Sequence, residues 1–265
     1  MTTDALLTER RGPIFQITLN RPGKLNAINE EISLGLKAAT EEFAADPALR
    51  VMVLRGAGRY FSAGADINSE LFPDPALSGQ SAFREWYGHS RASLHPLGDR
   101  LESLAKPVVA AHNGPVFGGA LELSLSCDFR LASTSASYAL PEIALGGLPG
   151  SGGISRLTRI VGPHWARWLV MAGERIGAEQ ALSIGLAHAV WAEAEFDAQV
   201  EAFCQRLATQ PPEAMAAGKL AIEAATDLGL AQARNIERLT VGSLVMGQEY
   251  AEKLAEIRAK LARKG

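Results

Sequence analysis

Cysteine is scarce. Cys127 and Cys204 are the two thiols in 265 residues, too few for a disulfide framework, so the chain reads as one suited to a reducing compartment. Charge of one sign is not in excess either. The formal net charge is −3, which gives no global pull toward nucleic acid or an anionic membrane. No run of about 18 apolar residues occurs, so no transmembrane helix is expected. The opening stretch MTTDALLTERRGPIF lacks a basic flank followed by an apolar core, so no signal peptide is read there and a cytoplasmic location is the expectation. The glycines match neither GxxxxGK[ST] nor a GxGxxG that follows a strand, which removes the phosphate-loop and dinucleotide signatures.

What is present is 47% hydrophobic residues, enough for a sizeable core in one large domain or one domain with an appendage. IFQITL (14–19), VMVLRG (51–56), VVAAH (108–112), FRLAS (129–133) and AHAVW (187–191) read as strands. Between them lie helical stretches at 91–105, 119–126, 152–161, 164–172 and 178–183. A further helix follows Asn29, a capping residue with Glu30 and Glu31 in the first turn. From about residue 195 every segment is helical in pattern. The expectation is an α/β core over 1–195 and an all-helical part over 196–265.

Three segments set glycine beside an expected helix start: YFSAGADI (60–67), VFGGALEL (116–123) and LPGSGGISRL (148–157). Helix starts carry unpaired N–H donors that stabilise negative oxygen, and two such donors from different loops can form an oxyanion hole. Each segment alone reads more readily as an ordinary turn. Glu122 and Glu142 add to the pattern, each isolated in an apolar, glycine-flanked run. Two carboxylates at one site cannot both ionise freely, so one becomes an acid and the other a base at the same pH. Spacing alone leaves Glu122 open to a second reading, as a solvated or capping residue. Cys127, within an apolar run, reads as a buried small hydrophobe, and His112 as a packed residue at a strand end.

Taken together, LNRPGKLNAIN, YFSAGADI, KPVVAAHNGPVFGGALELSLSCDFRLAS, PEIALGGLPGSGGISRLTRIVG and GERIGAEQALSIGLAHAV resemble the enoyl-CoA hydratase/isomerase (crotonase) family. The likeness is specific over about residues 10–195 and looser in the C-terminal helices. It implies a crotonase-like spiral of ββα units with a helical C-terminal trimerisation region, assembled as a homotrimer or dimer of trimers. It implies an acyl-CoA substrate, with CoA part of the substrate, no separate cofactor, no metal and no nucleic-acid or membrane partner. By the same resemblance the N–H groups of Ala65 and Gly119 form the oxyanion hole, and Lys24, Leu25 and the stretch Ala63, Gly64, Ala65, Asp66 line the CoA path. Glu122 is the base on water, Glu142 the acid toward Cα, and the Gly150 N–H helps hold the water.

Both glutamates are present, which favours hydration over isomerisation, although an isomerase or a lyase or dehydratase on an unusual acyl-CoA remains a rival. Asn68 stands where hydratases often carry lysine. The segment 68–105, with Phe72, Phe83, Trp86, Tyr87, His89 and His95, is longer than in the typical hydratase and falls where the family shapes its acyl pocket. An RNA-binding member of the fold would need a basic helix, which the net charge does not favour. A serine hydrolase built on Ser62 or Ser151 lacks the G-x-S-x-G turn.

Overall fold

Short strands of branched apolar residues need cover on both faces, and the parallel strands here receive it. The computed structural model describes residues 4–69, 81, 84 and 93–263. Strands β1 (Leu6–Arg11), β2 (Ile14–Leu19), β3 (Val51–Gly56), β4 (Val108–His112), β6 (Phe129–Ser133) and β9 (Ala189–Trp191) form one sheet in the order β1-β2-β3-β4-β6-β9. Among the described residues of this sheet, β1–β2 pairs antiparallel and the other pairs are parallel. Strands β5 (Val116–Phe117), β7 (Ser137–Ala139) and β8 (Ile176–Gly177) form a second sheet in the order β5-β7-β8. Two isolated bridges, Ile28 with Ala65 and Ser62 with Val116, carry the second layer back toward the N-terminus.

The chain therefore repeats one motif. A strand enters the large sheet, a short extended piece joins the second layer, and a helix returns. β2, Ile28 and α1 (Glu30–Ala45) make one such turn, and β3, the Ser62–Ala65 stretch and α2 (Leu94–Glu102) the next. β4, β5 and α3 (Gly119–Leu125) follow, then β6, β7 and α4 (Gly153–Val170). This is a spiral of ββα units, as the sequence resemblance implied. Asn29 caps α1 as read from the sequence, its Oδ1 accepting from the Ile32 N–H at 3.1 Å. The two helices expected at 152–161 and 164–172 are one element, kinked at Gly162 and Pro163.

Alternation along the strands divides the core. Phe15, Ile17, Met52, Leu54, Val108 and Ala110 face the spiral helices. Ile14, Val51, Val53, Val109, Ala111 and Leu131 face the other way, onto Phe196, Val200 and Cys204. Those three residues belong to α6 (Glu193–Ala208), which follows α5 (Ala178–Ser183) and β9. Sequence pattern put a boundary at 195 because α6 looks like the helices after it. In the fold α6 closes the outer face of the sheet, so the division into compact units falls between Ala208 and Thr209. Burial pushes the Cys204 thiol up to about 12, which leaves it inert.

The second unit, Thr209–Gly265, holds α7 (Pro212–Asp227), α8 (Leu230–Val245) and α9 (Gln248–Ala262). Helix α8 contacts both α7 and α9. Leu220, Ile222, Leu239, Val241 and Met246 remain exposed on this unit. No helix among the described residues is long and apolar enough to cross a membrane.

The packing of α6 has a measurable consequence. Phe196→Ala should destabilise the sheet unit by about 3–5 kcal/mol, the usual cost of deleting a buried aromatic ring. Denaturant unfolding followed by a probe in the sheet measures it. A loss below about 1 kcal/mol would show that α6 is not part of that core.

Candidate functional site

The second layer of the spiral determines which loops meet. Residues 24–28 run beside 63–66, with Ala63 N–H donating to the Leu25 carbonyl at 2.9 Å, Ile28 N–H to Gly64 at 2.8 Å and Asp66 N–H to Ile28 at 2.8 Å. Leu25 and Asn26 both take positive φ to make the turn. Asn26 is fully buried. Its Oδ1 accepts from the Arg21 N–H, and its Nδ2 donates to the Ala57 and Tyr60 carbonyls. Ser62 Oγ donates to the Asn26 carbonyl and accepts from the Gly64 N–H. Arg21 pairs with Asp66 at 2.9 Å and holds that carboxyl below its ordinary range. The Asp66 side chain is thus committed to the scaffold. Lys24 and Leu25 lie exposed at the rim.

Gly64 has φ of +95° and packs so closely on the next loop that a Cβ there would meet the Phe117 carbonyl oxygen at 2.7 Å and the Gly119 nitrogen at 3.2 Å. A Cβ on Gly119 would in turn lie 3.6 Å from the Ala65 nitrogen. The N–H groups of Ala65 and Gly119 therefore sit side by side, and among the described residues neither has a hydrogen-bond acceptor. Gly119 opens α3, so its N–H belongs to the positive end of a helix. The segment 60–67 was expected to precede a helix start in the same way. It runs instead into turn residues as far as Ser69.

Glu122 stands in the first turn of α3 and is 4% exposed. Its Oε2 accepts from the Ser151 N–H at 2.6 Å and the Gly153 N–H at 3.0 Å. Gly150 lies in the same loop. Desolvation nonetheless outweighs these bonds and, with Glu142 nearby, pushes the Glu122 carboxyl up to about 7. Glu142 sits on a short 3-10 turn, Pro141–Leu145, just after β7. Burial raises its pKa as well. A Cβ on Gly118 would come 2.8 Å from Glu142 Oε1, which puts this carboxyl against the loop that carries the Gly119 N–H. Its Oε2 is buried and has no hydrogen-bond partner among the described residues. Two carboxyls whose proton affinity is raised by burial thus lie near two N–H donors that have no acceptor among the described residues.

Other candidates resolve differently. His112 is completely buried at the end of β4, with Nδ1 2.9 Å from Tyr138 Oη and Nε2 2.8 Å from Ser124 Oγ. Burial depresses its pKa to about 3, so the ring is neutral. It joins strand, helix and second layer, and the Ser62 hydroxyl is engaged with the Asn26 carbonyl and the Gly64 N–H. Cys127 is buried. His95 lies on α2, beside Asp99 at 3.5 Å, whereas Phe72, Phe83, Trp86, Tyr87 and His89 lie outside the described residues. Sequence reasoning missed Arg21, Asn26 and Arg156, all of which act on backbone atoms.

Comparison with known proteins agrees with this geometry. The family model described as enoyl-CoA hydratase/isomerase matches residues 9–256. The carnitinyl-CoA dehydratase of Salmonella enteritidis PT4 is 37% identical over 227 residues, covering 85% of this chain and 83% of its own. An enoyl-CoA hydratase structure from Bacillus anthracis superposes with a TM-score of 0.87 at 28% identity, covering 97% of this chain and 96% of its own. A Magnetospirillum magneticum structure described as an enoyl-CoA hydratase/carnithine racemase gives 0.83 at 31% identity, covering 98% and 94%. The chain belongs to the enoyl-CoA hydratase/isomerase family, with the crotonase fold, and an acyl-CoA substrate is consistent with that family.

The state of Glu122 can be read from stability. Its folded pKa lies above the ordinary value of 4.5, so the folded state holds this proton more tightly than the unfolded chain. The resulting stabilisation is full below about pH 4.5 and disappears as pH rises through about 7. Glu122→Gln removes that dependence. The variant should gain about 2–3 kcal/mol relative to the parent between pH 5 and pH 8, measured by denaturant unfolding at both values. A pH-independent difference would mean that the carboxyl titrates normally.

Proposed function

We propose that the protein adds water across the 2,3 double bond of an enoyl-CoA thioester and catalyses the reverse elimination. The observation that carries this reading is the pair of carboxyls with raised proton affinity, Glu122 and Glu142, beside the unpaired Ala65 and Gly119 N–H groups. Glu122, as base, removes a proton from water as its oxygen bonds to Cβ. The π electrons move toward the thioester oxygen, where the two N–H donors and the α3 dipole meet the developing charge. A donor of this kind is worth roughly 3–4 kcal/mol of barrier. Glu142, as acid, delivers its proton to Cα, and elimination runs the same steps backward. Gly150 lies where its loop would help to position the water. CoA enters as part of the substrate along Lys24, Leu25 and Ala63–Asp66, and no separate cofactor is invoked.

Two carboxyls are more than a double-bond shift requires, which is why hydration or dehydration is favoured over isomerisation. The likeness to a carnitinyl-CoA dehydratase supports a second reading within the same chemistry, in which the physiological direction is loss of water from a β-hydroxyacyl thioester. The exposed apolar positions of α7–α9 fit self-association into a trimer or dimer of trimers. Light scattering at micromolar concentration should return a multiple of three protomers, and a monomer mass would reject the assembly.

The catalytic reading rests on two substitutions. Glu122→Gln and Glu142→Gln should each reduce hydration of a short 2-enoyl-CoA by at least about 100-fold. The double variant should fall well short of the product of the two. Product formed in ¹⁸O-labelled water should carry the label. Activity that shifts the double bond without label uptake, and needs only one glutamate, would make the protein an isomerase.

A further inference from the structure

Glu122 depends on a backbone donor that is itself held in place. Ser151 donates its N–H to Glu122 Oε2, and its carbonyl accepts from Arg156 Nη1 at 2.9 Å. Arg156, on the first turn of α4, also reaches α2, where Nε and Nη2 bind the two oxygens of Glu102 at 2.6 and 2.7 Å and Nη2 binds Asp99 at 2.6 Å. The Arg156 side chain is only 10% exposed. Five directed donors in a planar fork suit this three-way task, and a lysine ammonium does not reproduce it.

We propose that Arg156 is a positioning residue for the reaction: it grips α2 and the Ser151 carbonyl together and so sets the place and protonation of Glu122. The inference rests on the reading of Glu122 as the base. One side chain then links the base to Asp99 and Glu102, so a displacement of α2 reaches the reacting proton without touching substrate. The other charged or titratable groups around Glu122 are few. Glu142 approaches from the 3-10 turn and raises its proton affinity, whereas Arg156 from α4 lowers it. Asp99 and Glu102 on α2 offset part of the Arg156 charge, with His95 beside Asp99. His112, from β4, meets α3 through Ser124 as a neutral ring.

The test compares pH profiles of kcat and kcat/KM for a short 2-enoyl-CoA in the parent, Arg156→Gln, Arg156→Lys and the Asp99→Asn/Glu102→Gln double variant. Loss of the positive charge should move the acidic limb upward by about half a pH unit or more. The same change should lower kcat by about 10-fold or more while KM stays within about threefold. Arg156→Lys should return the limb toward its parental position but leave kcat low. The double variant retains the charge with less to offset it, so its limb should move downward while kcat falls. A folded Arg156→Gln protein with parental limb and kcat overturns the proposal. If Arg156→Gln does not fold, an unchanged limb and kcat in the double variant overturns it instead. Glu122→Gln is run alongside. If that variant keeps full turnover, the base assignment has failed, a result distinct from failure of the Arg156 link.

Discussion

The short ladder of the second layer, from Ile28 to Ala65 and from Ser62 through Val116 to Tyr138, is the constraint on which the site depends. Each bridge fixes the register of one turn of the spiral against the next, and each turn contributes one element of chemistry just beyond its bridge. Ala65 follows Ser62, Gly119 follows β5, and Glu142 follows β7. A slip of one residue in a pair would reverse which side chains face inward. Buried polar anchors oppose such a slip: Asn26 satisfies three backbone groups from different loops, and His112 joins Tyr138 to Ser124.

Within that frame the site works by opposing a low dielectric to a small set of fixed dipoles. Burial favours the neutral forms of Glu122 and Glu142, while the Ser151 and Gly153 N–H groups pull Glu122 back toward ionisation. The balance leaves Glu122 titrating near neutrality, where a carboxyl can take up or release a proton at little cost. In the proposed reaction the N–H groups of Ala65 and Gly119 would meet the developing charge as fixed backbone donors, which need little reorganisation. An acidic overall composition does not interfere, because the donors are backbone atoms of the glycine-bearing loops.

Much of this was legible in the sequence, and the parts that were not escaped it for different physical reasons. Strands such as Val51–Gly56 and Val108–His112 announce themselves through branched apolar residues and glycine stops. Glu122 and Glu142 stood out because a carboxylate in an apolar run has few reasons to be there. The strands Val116–Phe117, Ser137–Ala139 and Ile176–Gly177 were not read, since two or three residues are too few to show any period. The boundary read at 195 differs from the division of the compact units at Ala208–Thr209, because an amphipathic helix looks the same whether it covers a sheet, as α6 does, or packs among other helices. Arg156 gave no signal, because its partners Asp99, Glu102 and Ser151 come from separate segments and meet only through the tertiary fold.

The Glu122 carboxyl is held by two peptide N–H groups rather than by side chains, and this shapes what kind of genetic change the site can tolerate. Ser151 can be exchanged for many residues without removing the donor that Glu122 needs, because every amino acid except proline supplies an N–H there. Lengthening or shortening the Gly146–Gly152 loop is another matter, since one residue more or less would present a different peptide to the carboxylate. Drift in this region should therefore be permissive in letter and strict in length, with insertions and deletions purged where substitutions persist.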